Sequence, residues 1–317
     1  MKFSIIIAAY NLGHLVEEAI DSCVAQQSIL IDDYEIIVID DGSTDQTGVF
    51  IDKYASVPNI RIVHKANAGL SATRNLGIRM AKGEFIVLLD GDDWLTKDAL
   101  ATLSPYLEGN DVVAFPMNYY YDEHKQHIKL HGLQTQKYSQ TDFLRITLGN
   151  GQFNIIPAQK KIYRKTFLQS HKIEFVEGIL HEDNPFFIDV MSHLKEIVFV
   201  DKPIYNYRQN REGSITAQCT IRNFDGVIKG IQHIEQTSLA ANRDVVYLNA
   251  SMYVFQAIGN YRGAADRAKV YAYLRSWSVK MKLLKYLFQG RFVVKHIIRL
   301  LLLIVDPQLL RKVVKML

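Results

Sequence analysis

Cysteine is nearly absent from this chain of 317 residues: Cys23 and Cys219 are the only two. Two thiols so far apart in sequence offer neither a disulfide framework nor a metal knuckle. That excludes the small stapled secreted scaffolds and fits a reducing cytosol. Long hydrophobic runs are missing as well. No uninterrupted apolar stretch approaches the ~20 residues of a membrane-spanning helix. The apolar run at residues 3–9 is too short for a signal peptide and has no cleavage site, so it reads as a first strand. No Gly-x-Gly-x-x-Gly follows that strand and no Walker-type lysine loop occurs, so dinucleotide and P-loop readings lose ground. With 48% hydrophobic and 22% charged residues, the composition also excludes disorder.

Acid is what the C-terminal segment lacks. Residues 276–317 hold nine Lys and Arg against one acid, Asp306, a local charge of +8. The whole chain carries +4, so residues 1–275 carry −4. An acidic body with a basic, apolar end is not the pattern of a nucleic-acid binder. It points to an anionic membrane surface. Within the tail, Arg291, Lys295 and Arg299 recur every four residues through an apolar stretch, and Asp306-Pro307 reads as a stop and a new N-cap. The predicted helices are too short and too charged to cross a bilayer, which leaves an in-plane amphipathic anchor. A helix packed on the body or on a second subunit is the alternative.

What is present is a run of strand tips that end in acid. Phe85 to Leu89 reads as a strand buried on both faces, and it stops at Asp90-Gly91-Asp92-Asp93. Three carboxylates in four positions cannot stay in an apolar interior, so they belong at the strand's C-terminal end, where open α/β sheets bind ligands. Of two acids one residue apart, one can hold a hard divalent cation while the other hydrogen-bonds a sugar hydroxyl. Gly91 lets a ligand approach the backbone. The same residues also read as a surface turn with a helix N-cap at Asp92 or Asp93.

Lys2–Ala9, Ile36–Ile39 and Ile60–His64 are further short strands, alternating with predicted helices at 14–27, from Ser43 or Thr44 to about Tyr54, and at Ala72–Ala81. This alternation predicts an α/β fold with a mostly parallel sheet covered by helices. Its strand ends bring Tyr10-Asn11, Asp40-Asp41, Asp90 and Asp92 to one edge, and Arg74 and Asn75 start a helix that can reach it. Beyond residue 110 the pattern is less regular. It predicts a strand at Val112–Phe115, a hairpin in the Tyr119–His131 segment, a helix at 141–148 and a strand at Ile155–Tyr163. His124, His127 and His131 match no familiar metal spacing and read as loop residues. Helices are expected at Phe224–Ala240 and Val245–Tyr273.

Four segments occur here in order: Ile5-Ile6-Ile7-Ala8-Ala9-Tyr10-Asn11, Val38-Ile39-Asp40-Asp41-Gly42-Ser43-Thr44-Asp45, Asn67 through Gly77 with its Arg74-Asn75 pair, and Leu89-Asp90-Gly91-Asp92-Asp93. Together they resemble the nucleotide-sugar half of the family 2 glycosyltransferases, inverting enzymes of the A-type, Rossmann-like fold. The common proline ahead of the Tyr-Asn pair is replaced here by Ala8 or Ala9. The resemblance implies that Asp40, with Asp41 beside it, reads a uracil, and that Ala9, Tyr10, Asn11, Asn67, Arg74 and Gly91 line the nucleotide site. It implies that Asp92 ligates Mn²⁺ or Mg²⁺ and that Asp90 lies near the ribose and shares the metal site. Glu182-Asp183, followed by Pro185 and two aromatics, resembles the downstream Glu-Asp motif. That makes Asp183 the expected general base and Glu182 its runner-up; a helix N-terminus is the plain reading of the same acids. Arg208 and Ser214, after a tyrosine-bearing strand, are expected to fold over the donor diphosphate.

The expected organisation is a nucleotide-sugar half at 1–110, an acceptor-side half at 111–218, a helical module at 219–275 and the basic tail at 276–317. The expected partners are a UDP-sugar donor, a lipid-linked saccharide acceptor of bacterial surface-polymer synthesis, and the cytoplasmic face of the cell membrane. A sugar nucleotidyltransferase and a non-catalytic nucleotide-binding scaffold are the rivals. The first usually has a Gly-rich basic loop where Tyr10-Asn11-Leu12-Gly13 stands.

Overall fold

The computed structural model describes residues 1–121, 124–127, 130–209, 220–261, 263–290 and 292–316, with backbone only at 124–127 and 315–316. The chain forms two compact units. Unit 1 comprises Met1–Gln140, Asn154–Gly178 and His193–Arg211; unit 2 comprises Thr141–Phe153, Ile179–Ser192 and Glu212–Leu317.

Unit 1 starts with β1 (Phe3–Ala9), α1 (Leu15–Val24), β2 (Tyr34–Asp40), α2 (Thr47–Asp52), β3 (Ile60–His64), α3 (Leu70–Met80) and β4 (Phe85–Asp90). There follow β5 (Trp94–Leu95), α4 (Ala99–Leu103), β6 (Val112–Ala114), β7 (Met117–Tyr121), β8 (His124–His127) and β9 (Gln136–Ser139). After α5 (Gln140–Thr147), which runs into unit 2, unit 1 resumes with β10 (Lys161–Arg164) and α6 (Lys165–Ser170). Past α7 (Asp183–His193) of unit 2 it closes with β11 (Glu196–Phe199) and β12 (Tyr205–Arg208).

Eight strands form one sheet in the order β3-β2-β1-β4-β10-β6-β11-β9, and β5-β12-β7-β8 form a second. The four strands β3, β2, β1 and β4 are parallel. β10 runs antiparallel between β4 and β6. Burial explains the composition of the centre. All of β2 is buried, and β1 and β4 are buried at all but one position each, so both faces must be apolar. Each Ile, Val or Leu there contributes ~1.5–3 kcal/mol by leaving water.

Unit 2 is helical. Besides α5 and α7 it contains α8 (Ile221–Ile234), α9 (Arg243–Ile258), α10 (Ala264–Arg275), α11 (Trp277–Gln289), α12 (Val294–Val305) and α13 (Pro307–Met316).

Several local expectations need correction. The helix from Ser43 or Thr44 begins later, at Thr47. Asp45 makes that start: its Oδ1 accepts from Thr47 N at 2.9 Å and from Thr47 Oγ1 at 2.5 Å. The strand expected over Ile155–Tyr163 is two 3₁₀ turns around Pro157, followed by β10. Pro157 has no N–H for a ladder, and the buried Lys161 ammonium donates instead to the carbonyls of Ile155, Ile156 and Pro157. The second helix expected after residue 219 is broken at Gly259 into α9 and α10. The Tyr119 segment forms the antiparallel β7–β8 hairpin.

Candidate active site

The sheet register itself assembles the site in unit 1. Ala8 pairs with Asp90, Ala9 with Asp40, and Asp40 with His64, so the last residues of β1, β2, β3 and β4 share one edge. The helix N-cap reading of Asp92 and Asp93 fails, because these residues lead into β5 and the next helix, α4, begins only at Ala99.

The first two tips are locked together. Asn11 adopts φ 50°, its N–H donates to Ser43 Oγ at 3.0 Å, and its Oδ1 accepts from Thr44 N at 2.8 Å. Leu12 N and Gly13 N donate to Thr47 Oγ1 at 2.8 and 2.9 Å. Tyr10, by contrast, is 46% exposed on this edge and presents an aromatic face. Asp40 is buried. Its Oδ1 accepts from Ser43 N at 3.0 Å and its Oδ2 meets His64 Nδ1 at 2.9 Å, while His64 Nε2 reaches Asp52 at 3.0 Å. Burial alone would raise the Asp40 carboxyl, but these bonds hold it below the ordinary value. The two carboxylates in turn raise His64.

Asp41 organises the next loop. Its carboxylate accepts from Ala68 N at 2.9 Å and Gly69 N at 2.8 Å and pairs with Lys65, while Asn67 Nδ2 donates to its carbonyl at 2.9 Å. Gly42, at φ 72°, cannot be replaced without strain, because a Cβ there would stand 2.7 Å from Asn67 N. This loop delivers α3, and from it Arg74, which is 2% exposed, donates Nη2 to Asp90 Oδ1 at 2.7 Å. The guanidinium also lies over the Phe175 ring, 5.1 Å from its centroid. Asn75 fixes the same segment, donating to Phe175 O at 3.0 Å and accepting from Phe175 N at 2.8 Å.

At the tip of β4, the Asp90 carboxylate has a donor on each oxygen: Arg74 on Oδ1, and Gln159 Nε2 on Oδ2 at 2.6 Å. Gln159 is buried, and among the described residues its Oε1 has no partner. Gly91 allows the turn to pack, since a Cβ would stand 2.6 Å from Leu12 Cδ1 and 2.9 Å from Ala8 O. Asp93 is 1% exposed; Tyr205 Oη donates to it at 2.6 Å and Arg208 N at 2.8 Å. Tyr205 Oη also accepts from Asp90 N at 3.1 Å. Burial, then the charges of Asp92 and Asp90, push the Asp93 carboxyl well up. Like Asp90, and unlike the buried Asp93, Asp92 is half-exposed. Arg208 rims it: Nε donates to Asp92 O at 3.0 Å, the guanidinium stacks over Trp94 at 4.9 Å, and Nη2 pairs with Glu18. Ser214 lies outside the described residues.

Among the described residues no group of three His, Cys, Asp or Glu forms a ready-made metal cage. Mn²⁺ and Mg²⁺ at a diphosphate do not need one. One or two carboxylates serve, with phosphate oxygens and water completing the shell. Asp92 fits that role, half-exposed in a turn where Asp90 and Asp93 place two further carboxyl groups within two residues of it.

Glu182 and Asp183 lie in unit 2. Asp183 opens α7, with Pro185 in its first turn; Glu182, just before it, is buried, and Asp183 is half-exposed. The left-handed His181, φ 65°, turns the chain into this helix, and its carbonyl accepts from Asn184 N at 3.3 Å.

Gln159 and Tyr205 are the residues that sequence reasoning misses. Gln159 follows Pro157 in a stretch read as strand, and Tyr205 reads as one more strand tyrosine. No local signal marks either, because their partners lie 69 and 115 residues away.

Comparison with known proteins places this geometry. Residues 4–171 match the model of "Glycosyl transferase family 2". The chain is 30% identical over 223 residues to the poly(ribitol-phosphate) β-N-acetylglucosaminyltransferase TarS of Staphylococcus aureus strain MW2, covering 67% of this chain and 36% of TarS. It is 26% identical over 301 residues to the glycosyltransferase GlyA of Streptococcus pneumoniae serotype 4, covering 90% of this chain and 42% of GlyA. The chain thus spans well under half the length of these two relatives. The crystal structure of S. aureus TarS 1–349 with UDP-GlcNAc superposes with a TM-score of 0.71 at 21% identity, covering 96% of this chain and 90% of that one. The A-type sheet is therefore shared. With its family-2 segment spanning more than half of its length, the chain belongs to glycosyl transferase family 2.

Proposed function

We propose that this protein is an inverting, metal-dependent glycosyltransferase. It moves a sugar from a UDP donor to an acceptor hydroxyl in the synthesis of a bacterial surface polymer of the polysaccharide, lipooligosaccharide or teichoic type. The observation that carries this reading is the register pairing of Ala9 with Asp40 and Ala8 with Asp90. It gathers Tyr10, Asp40, Asp41, Asp90 and Asp92 on one sheet edge, with Asp90 braced by Arg74. The UDP-GlcNAc bound by TarS 1–349, and the poly(ribitol-phosphate) substrate in the name of TarS, support the donor and the polymer class.

In this reading the exposed Tyr10 ring stacks on the uracil and Asp40 meets its polar edge. Asp90, oriented by Arg74 and Gln159, receives the ribose hydroxyls. Asp92, with Asp90 beside it, would hold Mn²⁺ or Mg²⁺, which when bound neutralises charge on the diphosphate leaving group. Arg208, beside Asp92, is placed to meet the diphosphate. Asp183 takes the proton from the acceptor hydroxyl as the new oxygen–C1 bond forms, the C1–diphosphate bond breaks and UDP leaves; Glu182 orients that acid. One displacement inverts the anomeric centre. The acceptor is a lipid-linked saccharide met at the inner face of the cell membrane, a reading supported by the basic, apolar tail.

UDP release from a panel of UDP-sugars, with bacterial membranes as acceptor, tests the assignment. Asp183→Asn should abolish transfer and leave UDP and Mn²⁺ affinity nearly intact. Transfer at near wild-type rate by that variant would remove Asp183 from the mechanism, and no release from any UDP-sugar would remove the UDP-dependent reading.

A further inference from the structure

Two consecutive helices of unit 2 are apolar on both sides. At ~100° per residue, Trp277, Met281 and Phe288 of α11 fall within one ~40° sector. They are 76%, 46% and 88% exposed, while Val279, Leu283 and Tyr286 on the opposite side are buried. α12 repeats the arrangement. Val294, Ile297, Ile298, Leu301 and Val305 share a sector of ~100°. They are 36–72% exposed, whereas His296, Leu300 and Leu303 opposite are buried. Of the seventeen large exposed hydrophobic side chains among the described residues, ten lie between Trp277 and Leu309. One face of each helix therefore satisfies the unit's own core, and the other is left for something else. Patches of this kind mark interaction surfaces.

Charge identifies the partner. Lys280 and Lys285 flank the α11 stripe and Lys295 flanks the α12 stripe, within a tail whose only acid, Asp306, is paired with Arg275 at 2.9 Å. A surface cavity of about 280 Å³ is lined, among the described residues, by Arg267 and Tyr271 of α10 and Gln308, Arg311 and Lys312 of α13, with no carboxylate among them. A second copy apposed through the same stripes would set lysines against lysines. An anionic bilayer answers both features at once, taking aliphatic and aromatic side chains below its headgroups while lysine stems lie along the boundary with their charges among the phosphates. No described helix is long and apolar enough to cross a membrane.

We infer that α11 and α12 are an in-plane docking surface for anionic phospholipid, entered by the Trp277–Phe288 and Val294–Val305 stripes. This deepens the proposed function by stating how the protein meets a membrane-borne acceptor, and it can fail separately from it.

The test is co-sedimentation of the full chain with vesicles of phosphatidylcholine alone or mixed equally with phosphatidylglycerol, with UDP affinity in vesicle-free buffer measured in parallel. The wild type should pellet with the mixed vesicles and not with the neutral ones, and salt should weaken the binding. Trp277→Ser with Phe288→Ser, and separately Ile298→Asn with Leu301→Asn, should each lower vesicle affinity on the order of tenfold or more. Vesicle-free UDP affinity should be unchanged in both. Exposed side chains are altered throughout, and a thermal melt verifies that each variant is folded. Three results would overturn the inference: no binding to either vesicle, equal binding by the variants, or a sedimentation-velocity dimer of the wild type that the Trp277/Phe288 variant abolishes. Absence of UDP binding by the wild type would instead count against the UDP-donor reading.

Discussion

Gln159 Nε2 donates a 2.6 Å hydrogen bond to Asp90 Oδ2, on the side of the carboxylate away from Arg74. Asp90 is thus oriented from two sides before any ligand arrives, and among the described residues Gln159 Oε1 has no donor. A hydrogen bond to a charged group is worth ~1.5–3 kcal/mol, equivalent to roughly a 10–100-fold change. Gln159→Leu should lower kcat/KM for the donor by about that factor, chiefly through KM. Gln159→Glu should do worse, because it sets a second carboxylate against Asp90. A donor titration of UDP release checks both; wild-type kinetics in the two variants would show that Asp90 needs no bracing.

Asp92 is half-exposed beside Arg208, whereas Asp90 is held by Arg74 and Gln159 and Asp93 is buried. Chelation by EDTA should stop UDP release, and Mn²⁺ should restore it. Asp92→Asn should need at least about tenfold more Mn²⁺ for half-restoration, since even outer partners of a metal site count on that scale. An unchanged Mn²⁺ requirement would move the cation elsewhere.

Tyr205 holds the turn from beneath, donating to Asp93 and accepting from Asp90 N at full burial. Tyr205→Phe keeps the ring but leaves a buried carboxylate short of a donor and a backbone N–H short of an acceptor. The expected loss is ~1–3 kcal/mol of stability, read as a lower urea midpoint at unchanged m. A variant as stable as the wild type would mean that water replaces the hydroxyl.

These three residues also show what could be read from sequence. β1, β2 and β4 announce themselves because a strand buried on both faces is apolar along its central run, the buried Ser4–Glu35 hydrogen bond apart. Where the run stops at Asp40 or Asp90 the sheet edge has been reached. Parallel pairing does the rest, so the gathering of Tyr10, Asp40, Asp90 and Asp92 follows from the pattern alone. Gln159 and Tyr205 are invisible because their meaning lies in contacts 69 and 115 residues away. The segment around Pro157 deceived for a related reason. An apolar run predicts a strand, but Lys161 turns inward and caps three carbonyls instead. The start of α2 is set by Asp45 rather than Ser43 or Thr44, a choice between neighbouring cap residues that local pattern cannot make.

Lys160 gives a pH signature. The residue is 1% exposed, its Nζ donates to Tyr119 Oη at 3.0 Å, and burial pulls its pKa down from 10.5 to about 7. In the unfolded chain the amine keeps its ordinary value near ~10.4. Between about pH 7 and pH 10 the unfolded state therefore holds a proton that the folded state has released, so stability rises with pH across that window. The rise from this one group is at most ~1.4 kcal/mol per pH unit. Below about pH 7 both states are protonated and the penalty for burying the charge is fully present. Lys160→Met removes the titration and nearly preserves the shape of the stem. Losing the Tyr119 bond adds an offset that does not follow this titration. Urea unfolding of both proteins from pH 6 to pH 10 should then show the wild type gaining on the variant as pH rises. A difference constant with pH would mean that the amine is not held in the dry environment its burial indicates.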